Sequence, residues 1–303
     1  MKKIATLILF SLSILFFTAC EEEPPYINLN LEATITDTTY TVGTVPAPQP
    51  KTVIIEEFTG VRCPNCPDAQ AEAKRLSQNN PGRVNIVTIH PLNLLNSLTR
   101  PFDKNIGDKH TSNQDMRTDA GRIIFQLIGV TQQLPTGSIN RRLFSGETNF
   151  AVDFSKWAAF VNNELAQTNP VNISVLAKNI GDSIEVSCEL IYTENVADSN
   201  YLTIMITEDG IIDVQEKRVG GLTVYDEEYE HNHVLRAVVT STTGDLLNPR
   251  LPIYQLNAGR AFKRVYRIAR DPKWNANKLN AIALVHSNPI KKLVLQSIET
   301  NVQ

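Results

Sequence analysis

Hydrophobic positions follow three patterns along the chain. Met1-Lys2-Lys3 precedes an apolar run from Ile4 to Phe17, the charged and apolar regions of a secretory signal peptide. That run is shorter than the ~20 residues a helix needs to cross a bilayer. From Glu21 to Lys51 the chain is rich in Pro, Thr and acid and closes on Pro46-Ala47-Pro48-Gln49-Pro50, which predicts a stalk with one extended piece at Leu31 to Val42. Thr52 to Phe58 and Val84 to Ile89 are short β-branched runs that predict buried strands. Between them Ala69, Ala73 and Leu76 share a helical face, stopped by Asn79-Asn80-Pro81-Gly82. Strand, helix and strand in this order predict a βαβ unit with parallel strands. His90 to Thr118 is polar and without clear periodicity. Helices are predicted over Asp119 to Val130 and Phe154 to Gln167, with Ser138-Ile139-Asn140-Arg141 returning to the sheet. After Pro170 the period changes to two. Strands are expected at 171–177, 183–192, 201–207, 234–240, 262–269, 281–286 and 293–298, a β-sandwich pattern.

Composition narrows the classes. A length of 303 residues exceeds the roughly 100–200 of one domain, so about two domains are expected. Hydrophobic residues at 42% and charged residues at 20% are globular values, and a net charge of -3 leaves no basic surface for a nucleic-acid partner. With only 4 cysteines the chain is not a disulfide-dense scaffold, so each cysteine calls for its own explanation.

Phe17-Thr18-Ala19-Cys20 resembles the lipobox of bacterial lipoproteins. The resemblance implies removal of residues 1–19, lipidation of Cys20, and the membrane as a partner through acyl chains. A secreted protein with a chance cysteine is the alternative. Glu21-Glu22-Glu23-Pro24-Pro25 resembles the acidic export signal of surface lipoproteins in Bacteroidetes; its other reading is a solvated tether.

Cys63-Pro64-Asn65-Cys66 sits between the first strand and helix of the βαβ unit. A cysteine at a helix N-terminus faces unpaired N–H groups and the positive end of the dipole, which favours thiolate. Cys63 is then the nucleophile, and Cys66, one turn on, resolves the mixed disulfide. Two competing readings stand beside this one. A zinc half-site would need two further ligands, and no second cysteine pair exists, so no metal is expected. A purely structural disulfide suits any oxidising compartment.

These residues resemble the thioredoxin superfamily. The resemblance makes Glu57, six residues before Cys63, the buried carboxylate that passes a proton to and from the resolving cysteine. It makes Leu134-Pro135-Thr136 the segment whose proline faces the cysteines and pairs with the substrate backbone. Val61-Arg62 departs from the Trp often found before the first cysteine, and the Gln132-Gln133 approach to Pro135 looks a residue long. More closely, Glu57 to Pro67, Leu134-Pro135 with Ile139-Asn140-Arg141, and Tyr229 to Arg236 resemble the Bacteroidetes lipoprotein family related to a 28-kDa outer-membrane protein. The implied architecture is a signal peptide (1–19), a lipidated cysteine and stalk (20–50), an α/β thioredoxin-like domain (51–169) and an all-β sandwich-like domain (170–303). The implied protein sits in the outer membrane of the cell envelope, facing the periplasm or the surface. It exchanges disulfides with exported proteins or a redox partner, without a cofactor beyond its cysteine pair, while the β domain offers a surface to another protein or ligand. The competing class is a surface adhesin or binding lipoprotein that keeps the fold without turnover.

Three further features stay outside this scheme. Cys188 alternates with Ile184, Val186, Leu190 and Tyr192 on one strand face and reads as a buried thiol. His231 and His233 would share a strand face, as a weak metal site or as structural histidines. Tyr225 to Glu230 reads as an acidic, aromatic loop.

Overall fold

The computed structural model describes residues 36–130, 133–247 and 256–303; the expected signal peptide, Cys20 and the acidic run after it lie outside them. No helix among the described residues is long and apolar enough to cross a membrane.

The first half alternates strands and helices: β1 (Thr36–Thr41), β2 (Val53–Phe58), α1 (Cys66–Asn79), β3 (Val84–Pro91), the single turn α2 (Asn96–Thr99), β4 (Arg117–Thr118), α3 (Asp119–Ile128), β5 (Thr136–Ile139), β6 (Ala151–Val152) and α4 (Trp157–Leu165). The second half is strands: β7 (Val171–Ile180), β8 (Ser183–Tyr192), β9 (Asn200–Glu208), β10 (Ile211–Val219), β11 (Leu222–His231), β12 (Val234–Val238), β13 (Asp245–Leu246), β14 (Arg260–Ala269), β15 (Leu279–Ser287) and β16 (Val294–Asn301). Local chemistry sets the boundaries that matter for the site. The Thr118 hydroxyl caps α3 by accepting from the Gly121 N–H, and Gly129 ends that helix with φ 73°. Pro67 occupies the first turn of α1, where a missing N–H is harmless.

The β2-α1-β3 unit forms as predicted, with β2 parallel to β3. β5 lies antiparallel on the other side of β2, and β6 is antiparallel to β5, giving the order β3-β2-β5-β6. One face of β2 and β3 buries Val53, Ile55, Val84 and Ile86 against Ala73 and Leu76 of α1 and Trp157 and Val161 of α4. The other face buries Ile54, Phe58, Val87 and Ile89 with Ile124 and Phe125 of α3. Every residue of β2 and β3 is buried, as continuous apolar runs covered on both faces require.

The expected boundary at residue 170 does not separate two cores. β3 has a free edge, and β12 closes it by pairing parallel to β3, with Val234 opposite Thr88. β9, β15 and β16 extend the same sheet antiparallel, in the order β16-β15-β9-β12-β3-β2-β5-β6. Met205, Ile282, Leu284 and Val294 then join the core of Ile54, Phe58 and Ile89. A free-standing sandwich is therefore replaced by a shared sheet, and the described residues belong to one compact unit. The sandwich packing exists in a different form. A four-stranded sheet, β1-β14-β8-β7, packs Ile173, Val186, Leu190 and Tyr266 on the opposite face of β9 and β15, against Ile204, Ile206, Ala283 and Val285. Of the stalk expected over residues 20–50, the described part is not free chain. β1 pairs with β14, and the Gln49 N–H donates to the Asn172 side chain at 2.7 Å, so residues 36–50 are folded against the second sheet.

Candidate functional site

Cys63 and Cys66 form a disulfide with Cα atoms 5.3 Å apart, immediately before and at the start of α1. Pro64 lies in the turn before the helix, so regular helix begins at Cys66 and not at Pro64. The Cys66 N–H donates to the Cys63 carbonyl at 3.1 Å, closing that turn, and Asn65 contributes no side-chain cap. The first turn of α1 therefore starts at Cys66 without a side-chain cap, and Asp68 is the acidic residue in that turn.

The disulfide is enclosed. Cys63 is 2% exposed and Cys66 is 0% exposed. Two elements cover it, neither expected from the sequence. The first is the segment after β3: Gly60 packs so closely on it that a Cβ would lie 2.2 Å from the Leu98 carbonyl oxygen, and the Arg62 N–H donates to that same oxygen at 2.9 Å. Arg62 is further tied by Nε to the Arg100 carbonyl (2.7 Å), pairs with Asp108, and lies 4.1 Å above the Phe102 ring. Its guanidinium holds the Asp108 carboxyl down to about 2. The second cover is the β10–β11 hairpin. Gln215 Nε2 donates to the carbonyls of Gly60 (3.2 Å) and Cys63 (3.1 Å), and the Glu216 N–H donates to the Val61 carbonyl at 2.8 Å. The two covers are tied together by Asp213, whose carboxylate accepts from the N–H groups of Asn113 (2.9 Å) and Gln114 (2.9 Å).

Glu57 lies on β2, fully buried, with neither carboxyl oxygen hydrogen-bonded to protein. Burial alone pushes its carboxyl up to about 8, so it is neutral at pH 7. It lines a cavity of about 630 Å³ with Pro67, Gln70, Lys74, Tyr229 and His233, between α1 and the end of β11. The Tyr229 hydroxyl donates to Gln70 Oε1. Pro135 follows a cis peptide bond and directly precedes β5, where Thr136 pairs with Phe58. Leu134 joins the apolar cluster that holds Cys63, Cys66, Phe58 and Phe125. Cys63, Cys66 and Leu134 thus share one cluster with Phe58 at the end of β2, while Glu57, on the same strand, faces the cavity lined by Pro67, the residue after Cys66.

The two histidines separate. His231 ends β11 and faces His90 of β3, ring centroids 6.2 Å apart, while His233 lies in the following turn at φ 57° beside Asp209 (3.5 Å). A left-handed turn residue between two strands breaks the alternation that would have put both on one face. Burial lowers His231 to about 4 and His90 to about 3, so both are neutral at pH 7. No group of three or more metal-ligating side chains occurs among the described residues. Tyr225 to Glu230 is not a loop but the body of β11, paired with β10. Cys188 is a free, buried thiol in β8, and burial pushes it up to about 12.

The model of the outer membrane protein Omp28 family matches residues 125–303, more than half of the chain. The chain belongs to the Omp28 family of outer membrane proteins. The matched stretch begins after Cys63 and Cys66, so membership fixes the family without reaching the disulfide. No curated protein matches this Omp28-family chain. Among solved structures it is similar to HBP35 of Porphyromonas gingivalis, with a TM-score of 0.60 and 16% identity over 83% of this chain and 75% of that one. A protein from Agrobacterium tumefaciens aligns with a TM-score of 0.48 and 13% identity, over 85% of this chain and 97% of that one. At such identities the likeness to HBP35 is one of fold.

Proposed function

We propose that this Omp28-family chain is a lipid-anchored envelope protein whose Cys63–Cys66 pair exchanges disulfides with exported proteins, on a thioredoxin-like arrangement spanning residues 51–169. The strand and helix order β2-α1-β3-α3-β5-β6-α4, the cysteine pair at the start of α1 and Pro135 at the start of β5 all support the reading. Glu57 is the observation that carries it. A carboxyl buried with no protein partner lowers stability and does nothing for packing, whereas a proton donor for Cys66, whose neighbour Pro67 lines the same cavity, needs that environment.

In the oxidised form a substrate thiolate attacks the Cys63 sulfur. The Cys63–Cys66 bond breaks, and Cys66 leaves as thiolate and takes the proton of Glu57. A second substrate thiolate then attacks the mixed disulfide, releasing Cys63; the substrate is oxidised by two electrons and the pair is reduced by two. The reverse sequence reduces a substrate disulfide, with Glu57 as carboxylate accepting the Cys66 proton. Pro135 positions the substrate strand, and Cys20 carries the lipid. Glu57→Gln should slow exchange with a model dithiol peptide by about tenfold or more while leaving the fold intact; unchanged kinetics would remove Glu57 from the mechanism.

The enclosure of Cys63 favours a second reading, a binding lipoprotein with a structural bridge. Under the exchange reading the covers must open, and Cys63 in the reduced protein must react with a thiol reagent.

A further inference from the structure

The β10–β11 ladder is irregular at one point: Val214 stands opposite both Glu227 and Glu228, a bulge that bends the hairpin. At the bulge Asp213, Val214 and Gln215 are all buried, although the two strands form a sheet of their own and β11 is mostly exposed. The bend lays Gln215 on the turn that holds Cys63.

Two successive turns meet at that cysteine. The Gly60 carbonyl accepts from the Cys63 N–H at 3.0 Å, and the Cys63 carbonyl accepts from the Cys66 N–H at 3.1 Å. Gln215 Nε2 donates to both of these carbonyls, at 3.2 and 3.1 Å, and to the Glu216 carbonyl at 2.8 Å. Three acceptors fix which way the amide points, and its Oε1 is left buried and unpaired as a result. A buried amide that leaves its oxygen unpaired to grip one backbone turn is a costly contact, placed on the residue whose sulfur forms the bridge.

The contact is sensitive to that bridge. Bonded sulfurs stand about 2.05 Å apart, whereas unbonded heavy atoms need roughly 3.5–4 Å. Cys63 and Cys66 are buried against Ile54, Phe58, Phe125 and Leu134, a packed apolar wall that has no room for the extra separation. The other wall is the Cys63 turn with its polar cover, and single hydrogen bonds yield more readily than a packed core. Breaking the bridge therefore moves the Cys63 peptide away from Gln215. The Tyr229 hydroxyl still donates to Gln70, further along α1, so the hairpin is loosened and not detached.

We propose that the β10–β11 hairpin is a redox-sensitive cover, tight over the oxidised pair and loosened over the reduced one, with Gln215 as the positioning residue that couples the two states. Coupling of this kind is reciprocal, so weakening the hairpin contact favours the reduced pair. The inference needs only that the bridge can be broken, and it stands whether or not the pair exchanges disulfides with substrates.

Hydrogen exchange followed by mass spectrometry tests it on the oxidised protein, on protein reduced with a phosphine, and on the double variant Cys63→Ser/Cys66→Ser, which supplies an unbridged form if the native pair resists the phosphine. Amides of residues 211–219 should exchange about fivefold or more faster in the unbridged forms, with β2 and β3 unchanged. In Gln215→Ala the hairpin should exchange fast in either state, and the glutathione equilibrium should shift toward the dithiol; a residue that only braces the hairpin would leave that equilibrium where it was. The proposal is overturned by equal hairpin exchange with and without the bridge, by acceleration that spreads equally into β2 and β3, by an undiminished redox dependence in Gln215→Ala, or by an unmoved glutathione equilibrium in that variant.

Discussion

At the scale of single residues, buried titratable groups without partners set how stability responds to pH. Glu57 ionises near 4.5 when unfolded and near 8 when folded, so between those values the native state holds a proton that the unfolded state has lost. Its contribution is fully present below about pH 4.5 and is lost as pH rises through about 8. Glu57→Gln removes this dependence. The variant should be more stable than the parent by about 2–4 kcal/mol at pH 8, with the gap closing toward pH 4.5, in denaturant titrations. His90 and His231 act with the opposite sign. Their folded values near 3 and 4 lie below the ordinary 6.5, so the unfolded state binds protons first and stability falls as pH drops below about 6.5. Gly60 is a steric requirement: Gly60→Ala would drive a Cβ into the Leu98 carbonyl and should cost about 1–3 kcal/mol. The placement of Glu57 in a buried strand and of the two cysteines at the start of the next helix was legible because it depends on spacing along one strand and the helix after it. The pairing of His231 with His90 was not, since nothing local announces that β11 ends beside β3.

At the scale of elements, the β10–β11 hairpin is one of the two covers over the disulfide. It meets the site through Gln215 and Glu216, three polar contacts to Gly60, Val61 and Cys63, and through Ile211 and Val214 packed with Val61 and Phe102, a smaller apolar cluster than the one under β2. Hairpin amides should therefore exchange with solvent faster than those of β2 and β3. Gln215→Ala should speed alkylation of reduced Cys63 by iodoacetamide about fivefold or more, with little change in global stability. Equal alkylation rates would mean that the hairpin does not control access. This hairpin had a readable signal: Gly220-Gly221 between Val219 and Leu222, both glycines at positive φ (57° and 83°), is the turn that two-residue hairpins require. It was obscured because β11 exposes most of its residues and carries acidic ones, the pattern of a loop. The buried strands of the second half were legible from their period of two, but their partners were not. The alternation in β9 fixes two faces, one for each core, without saying that β12 and β3 continue the sheet.

At the scale of the whole molecule, the shared sheet makes the first half dependent on the second. A fragment of residues 51–169 lacks β12 at the edge of β3 and lacks Met205, Ile282 and Leu284 from the core around Phe58. It should fail to unfold cooperatively, whereas the whole protein should lose both halves in one transition followed by calorimetry. The proposed exchange draws on all three scales: a helix N-terminus that favours thiolate, a neutral buried carboxyl on the preceding strand, and a hairpin from the second half that covers the pair. Its central claim is that Cys63–Cys66 is a working redox centre. The most direct measurement is the reduction potential of the pair, equilibrated against glutathione, together with the Cys63 pKa from the pH dependence of alkylation. The account predicts a potential between about -270 and -120 mV and a Cys63 pKa below about 7.5; a pKa near 8.5 with a potential below about -300 mV would contradict it and leave a structural bridge.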